Sequence, residues 1–163
     1  MIRKAVEADS EVIAGIYNHY IENTAITFEE EKVSATEINR RIQNVQAAGL
    51  PWLVAVEDSV VVGYAYATKW KDRSAYRFSV EVTVYLAPGA RGKGYGSMLY
   101  LALMAKLKAC GVQSVIGGIT LPNQASVALH EKMGMKKVAH FEKIGFKFGQ
   151  WQDVGYWQKS LHN

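Results

Sequence analysis

The stretch EVTVYLAPGARGKGYGS, from Glu81 to Ser97, is the most informative part of the chain. Apolar residues at every second position, Val80, Val82, Val84 and Leu86, predict a strand that ends at Pro88-Gly89. A glycine-rich turn follows at once: Arg91, Gly92, Lys93, Gly94, Tyr95, Gly96, Ser97. An apolar-periodic run from Met98 to Cys110 then predicts a helix closed by Gly111. A strand, a glycine turn and a helix in this order present several backbone N–H groups to an anion at a helix N-terminus. Arg91 and Lys93 add charge of the matching sign. A phosphorylated cofactor is therefore expected at this turn.

Two familiar phosphate motifs do not fit. A P-loop places Ser or Thr after its lysine, and Lys93 is followed by Gly94. The dinucleotide fingerprint needs a third glycine where this chain has Ser97, and an acidic residue about 20 positions on. The next apolar strand, Val112 to Ile119, offers none. The pattern that fits is Arg-x-x-Gly-x-Gly, carried by Arg91, Gly94 and Gly96. A turn serving chain reversal alone has no need of so many glycines, whose ordering is entropically unfavourable.

Outward from this segment the elements alternate. Ile2 to Ala5 reads as a short strand. Asp9 or Ser10 opens a helix with Val12, Ile13, Ile16, Tyr17 and Tyr20 on one face. Ser34-Ala-Thr-Glu37 has the form of a capping box before a helix with the stripe Ile38, Ile42, Val45, and Gly49 has the position of a C-cap. Trp52–Val56 and Val60–Thr68 read as strands around Glu57-Asp58-Ser59. Asn123 opens a helix that ends at Gly134. Two final strands, near Lys136–Phe146 and Trp151–Leu161, flank Phe148-Gly149-Gln150. The expected class is α/β, with a mixed sheet flanked by helices in one domain spanning 1–163.

Bulk properties narrow the function classes. With 163 residues, 49% hydrophobic and 21% charged, the chain is long enough for one core. No apolar run approaches the about 20 residues of a membrane span, and the first residues lack the apolar stretch of a secretory signal. The single cysteine, Cys110, suits the cytoplasm and is expected to be buried filler. The net charge of +4 favours anionic ligands, but scattered lysines and arginines give no reason to expect nucleic acid.

The Arg91–Ser97 segment resembles the coenzyme A-binding motif of the GNAT acyltransferase superfamily. Asn123-Gln-Ala-Ser-Val-Ala-Leu-His-Glu-Lys-Met-Gly-Met135 is similar to the family's Asn-containing helix, which ends Leu-Tyr-x-Lys-x-Gly-Phe. The C-terminal stretch GFKFGQWQDVGYWQKSL, from Gly145 to Leu161, and Leu129-His130-Glu131 are similar to the phosphinothricin and methionine sulfoximine N-acetyltransferases of that superfamily. The resemblance spans essentially the whole chain. It implies a mostly antiparallel GNAT sheet, acetyl-CoA as co-substrate, no metal and a homodimer. It also implies a small amino-acid-like acceptor that attacks the acetyl group directly.

Acetyl transfer needs a neutral amine, a polarised carbonyl and a departing thiolate. Glu81, on the strand leading into the turn, is the candidate base for the amine proton; an ion pair with Arg73 or Arg77 is its structural alternative. The resemblance makes the backbone of Val84, Tyr85 and Leu86 the partner of the pantetheine arm and polariser of the carbonyl. It makes residues 91–97 the diphosphate site. Asn123 would bond the same arm, while also being a good N-cap; Lys132 would meet a phosphate or remain a solvated helix lysine. His130 stands where most of the superfamily has tyrosine, so it would protonate the sulfur or pack beside the arm. His130-Glu131 also begins a zinc-helix pattern, but Gly134 occupies the second histidine position. Phe28 is expected to cover the acceptor pocket or join the core. The loop of Arg73, Ser74, Ala75 and Tyr76 is expected to contact the acceptor, with Arg73 on its carboxylate or phosphinyl group. Aminoglycosides, polyamines and protein N-termini are alternative acceptors, and a nicotinamide oxidoreductase with a degenerate fingerprint is an alternative class.

Overall fold

In a computed structural model that describes residues 1–162, the chain forms one seven-stranded sheet with four α-helices. The elements are β1 (Ile2–Lys4), α1 (Ser10–Asn23), α2 (Ala35–Ala47), β2 (Trp52–Glu57), β3 (Val60–Lys69), β4 (Ser79–Leu86), α3 (Tyr95–Ala109), β5 (Ser114–Leu121), α4 (Gln124–Lys132), β6 (Lys136–Lys147) and β7 (Gln150–Ser160). The strand order is β1-β2-β3-β4-β5-β7-β6. Every neighbouring pair is antiparallel except β4–β5, so the sheet is mixed and mostly antiparallel, as expected. No helix among the described residues is long and apolar enough to cross a membrane.

Strand alternation sorts the core into two layers. Leu53, Ala55, Ala65, Ala67, Val80 and Val82 point to one face, where Leu99, Leu103 and Leu107 of α3 cover them. Trp52, Val54 and Tyr64 point to the other, under Ile13, Ile16 and Tyr17 of α1 and Ile38 and Ile42 of α2. The apolar run of α3 is explained by this: it lies across the middle of the sheet.

Several local expectations shift. Val12 is exposed, and the buried stripe of α1 is Ile13, Ala14, Ile16, Tyr17, Tyr20 and Ile21. Ser34 Oγ accepts from Glu37 N–H, but the Glu37 carboxylate turns to Arg40 and Arg41 instead of back to the cap, so only half of the capping box forms. Cys110 is exposed because α3 ends just before it, on the solvent side of the turn at Gly111. β5 begins two residues later than expected: Val112 N–H is taken by Leu107 O at the end of α3, which delays the strand.

Candidate active site

Parallel pairing of β4 with β5 lasts three residues, from Ser79↔Ser114 to Glu81↔Ile116. Both strands run on, β4 to Leu86 and β5 to Leu121, each paired only on its outer side, with β3 and β7 respectively. A gap opens between their inner edges. Ala87 N–H donates to Val62 O on the β3 side. Main-chain groups alternate sides along a strand. Those of Leu86 and Val84 therefore point into the gap, and those of Tyr85 point to β3. Of the three residues expected to offer backbone donors, two do so; Tyr85 offers its ring, packed against Tyr17 and Tyr20. The Leu86 carbonyl already accepts the Tyr20 hydroxyl.

The gap widens into two cavities with common walls, among them Ile26, Val84, Asn123 and Ser126. One, of about 300 Å³, runs to the glycine turn. Gly92 and Gly94 adopt left-handed φ of 78° and 84°, a region that favours glycine. Gly94 is the N-cap of α3 and no side chain caps it. The N–H groups of Tyr95, Gly96 and Ser97 thus have no partner within the helix, and the positive end of its dipole faces the turn. Arg91 lies beside them, donating to Tyr20 Oη at 3.1 Å. Lys132 of α4 reaches Ser97 Oγ at 3.2 Å, so the helix lysine is brought to the same turn. Lys93 faces Glu57 at 3.5 Å, and neither its side chain nor that of Tyr95 lines the cavity.

The other cavity, of about 220 Å³, joins Glu81 on one face of the sheet to Tyr100 and His130 on the other. Gly118 lines this passage, and Gly117 leaves room for the His130 ring beside it. A Cβ on Gly117 would lie 2.7 Å from the His130 ring, and one on Gly118 would lie 3.5 Å from Glu81 Oε2. Glu81 is half-buried, and loss of solvent pushes its carboxyl pKa up while the Lys71 charge acts in the opposite sense. Among the described residues no arginine pairs with it: Arg77 stacks on Phe78 and donates to Ser74 O instead.

His130 is 3% exposed. Its Nδ1 lies 2.7 Å from Ser126 O, which only accepts, so Nδ1 carries the proton. Nε2 then accepts the Tyr100 hydroxyl at 3.0 Å. Burial lowers the imidazole pKa, which favours this neutral tautomer. Asn123 Oδ1 accepts Ser126 N–H as an N-cap, and its side chain also lines both cavities. Phe28 forms part of the rim of the smaller cavity and is 40% exposed. The structure does not bring Arg73, Ser74, Ala75 or Tyr76 to either cavity: they lie in an exposed turn before β4, and only Lys71 of that loop acts on Glu81.

Sequence reading missed Tyr100, Ser126 and the glycine pair. Tyr100 sits in an apolar helical stripe and looks like core. The adjacent glycines inside a strand were the available signal, since they weaken a strand unless something approaches closely.

The sequence pattern of the acetyltransferase (GNAT) domain matches residues 2–155. The phosphinothricin N-acetyltransferase of Streptomyces viridochromogenes is 41% identical over 160 residues, which is 98% of this chain and 87% of that protein. The L-methionine sulfoximine/L-methionine sulfone acetyltransferase of Salmonella typhimurium is 35% identical over 98% of this chain and 94% of its own length. Among solved structures, a GNAT superfamily phosphinothricin acetyltransferase of Sinorhizobium meliloti in complex with acetyl-CoA is 37% identical, covers 98% of this chain and 87% of that one, and superposes with a TM-score of 0.95. With the splayed strands and the uncapped helix in place, this match over nearly the whole length shows that the chain belongs to the GNAT acetyltransferase family.

Proposed function

We propose that the chain is one N-acetyltransferase domain over residues 1–163. It moves the acetyl group of acetyl-CoA to the amino group of a small amino acid or analogue, of the phosphinothricin, methionine sulfoximine or methionine sulfone type. The observation that carries this reading is the continuous gap from the uncapped start of α3, past the free edge of β4, to the Glu81 carboxylate.

The residues present fit the coenzyme. Its diphosphate matches the N–H groups of residues 95–97 with the Arg91 and Lys132 cations. Its amide-bearing arm matches the unpaired edge at Val84 and Leu86, with Asn123 alongside. When bound, acetyl-CoA supplies an activated carbonyl and a thiolate whose parent pKa of about 8.5 makes it a good leaving group. Glu81 takes the proton from the acceptor's ammonium, directly or through one water; its raised pKa brings it closer to the about 8 of an α-amino group. Val84 N–H directs a donor at the acetyl oxygen. Both ring nitrogens of His130 are engaged inside the protein, so its role is to hold the Tyr100 hydroxyl on the cavity wall rather than to give up a proton.

Glu81 is the one carboxylate among the walls of either cavity, which favours an anionic over a polycationic acceptor. The acceptor's acid group then faces Lys71, the residue of the 71–77 loop whose charge reaches Glu81, with Phe28 as the aromatic cover. The exposed free thiol of Cys110 suits a reducing compartment such as the cytoplasm.

A homodimer is part of the proposal. Near the end of β6 Gly145 and Lys147 are buried while Ile144 and Phe146 are exposed, as are Phe148 of the following turn and Trp151 of β7. An apolar patch of this kind marks an interaction surface, and a second copy of this chain is the occupant proposed for it.

Four outcomes are expected. Saturating acetyl-CoA at about 100 times its Kd stabilises the protein by about 2.7 kcal/mol in thermal denaturation, NAD does not, and phosphinothricin or methionine sulfone triggers thiol release. Turnover confined to polyamines or peptide N-termini would contradict the acceptor assignment. Glu81→Gln lowers kcat by about 100-fold or more with acetyl-CoA affinity retained. The carboxyl pKa of Glu81 is raised on folding, so its contribution to stability is full at low pH and is lost as pH rises through the folded value. Glu81→Gln therefore gains stability relative to wild type as pH rises above the ordinary glutamate range, and a constant difference would refute the desolvation account. Light scattering finds a dimer mass that Ile144→Glu with Phe146→Glu reduces to the monomer; a monomeric wild type would remove the dimer from the account.

A further inference from the structure

The segment from Thr24 to Val33 has no regular secondary structure, yet it supplies Ile26, Thr27 and Phe28 to the rim of the smaller cavity. Without a ladder to place it, its position comes from side-chain contacts. Thr27 Oγ1 meets Tyr17 Oη at 2.8 Å, and Ile26 O accepts from Thr120 Oγ1 at 3.4 Å. Asn18 of α1 bonds the backbone of Val33, Arg41 of α2 pairs with Glu29, and β6 adds two further contacts. Lys147, 2% exposed, sends its Nζ to Ile21 O at 2.8 Å and Thr27 O at 2.9 Å. It thus ties the last turn of α1 to this segment, where a cation also suits the helix C-terminus.

Two residues earlier on the same face of β6 lies Gly145, also buried. A Cβ there would stand 2.3 Å from Cε2 and Cζ of Phe28 and 2.9 Å from Cδ2. The Phe28 ring therefore rests directly on the Gly145 backbone, in the space a side chain would fill. The φ of Gly145 is outside the left-handed region, so alanine suits its backbone, and the three atoms it would meet first all belong to Phe28.

We infer that Gly145 is a positioning residue that sets where the Phe28 ring stands and thereby which acceptors the cavity admits. The inference rests on the acetyltransferase reading for the identity of the cavity's ligand. A Cβ at position 145 needs about 3.4 Å where the ring leaves 2.3 Å, so the ring must move by about 1 Å, and the ring belongs to the acceptor wall rather than to the wall that meets the coenzyme. Phe28 lines the Glu81 cavity and not the one that leads to the glycine turn.

The test is steady-state kinetics with phosphinothricin and methionine sulfone on wild type, Gly145→Ala, Phe28→Ala and the double variant, together with their melting temperatures. Gly145→Ala is expected to raise the acceptor KM about 10-fold or more while the acetyl-CoA KM stays within about twofold of wild type, because the two substrates meet different walls. It is expected to melt about 4 °C below wild type, as overpacking does. With the ring removed the added methyl loses the three atoms it clashes with most closely, so the double variant should match Phe28→Ala in both acceptor KM and melting temperature. Equal acceptor KM in wild type and Gly145→Ala, or a double variant as impaired relative to Phe28→Ala as Gly145→Ala is relative to wild type, would overturn the inference. A wild type inactive toward every acceptor would contradict the acetyltransferase reading instead, and the melting comparison would still decide the packing of Phe28 on Gly145.

Discussion

Buried backbone N–H and C=O groups left without partners are unfavourable by about 1–3 kcal/mol each, and a sheet normally avoids them by pairing every inner strand on both sides. Here the pairing of β4 with β5 stops after three residues while both strands continue. Everything specific to this protein depends on that divergence. It leaves an edge in the middle of the sheet where Val84 and Leu86 present main-chain groups, and it leaves a passage through the sheet from one face to the other. α3 and α4 cover the gap on one side, and α1 with the segment after it covers the other. The fold holds the divergence open because the outer partners are extensive: β3 pairs with β4 over seven positions and β7 with β5 over eight.

The two ends of the passage are electrostatically different. At one end an uncapped helix start, Arg91 and Lys132 collect positive charge around a left-handed glycine turn. At the other a lone carboxylate loses part of its hydration, and Lys71 only partly compensates. Between them the neutral His130–Tyr100 pair adds no charge. An anionic cofactor is drawn to one end while a proton acceptor of raised pKa waits at the other. That polarity follows from where the helix begins and where Glu81 sits, not from the net charge of the chain.

Much of this was legible in the sequence because it depends on local pattern. The alternation before Leu86, the glycine turn and the Asn123 cap each carry their meaning within a few residues, and so the order of elements was readable. What lay beyond reach depends on contacts distant in sequence. Tyr100 looks like any core residue of α3 until His130, thirty residues later, accepts a hydrogen bond from its hydroxyl. Arg73 to Tyr76 resemble an acceptor loop by position, yet in this chain they stand outside the cavities. The sequence placed a strand near Lys136–Phe146 without fixing which side of it faces inward. The structure places Gly145 and Lys147 inward, because Phe28 takes the room above Gly145 and the carbonyls of Ile21 and Thr27 take the ammonium of Lys147. The capping box failed for a related reason: nearby arginines outcompeted a backbone N–H for the Glu37 carboxylate.

The central claim is that unpaired backbone in the splayed gap, together with the start of α3, is what receives the coenzyme. Amide hydrogen exchange measured residue by residue, with and without coenzyme A, addresses it most directly. The account predicts that added protection concentrates at Val84, Leu86 and Tyr95 to Ser97, while Tyr85, already bonded to β3, changes little. Protection that left those amides exchanging as before and appeared elsewhere on the surface would contradict it.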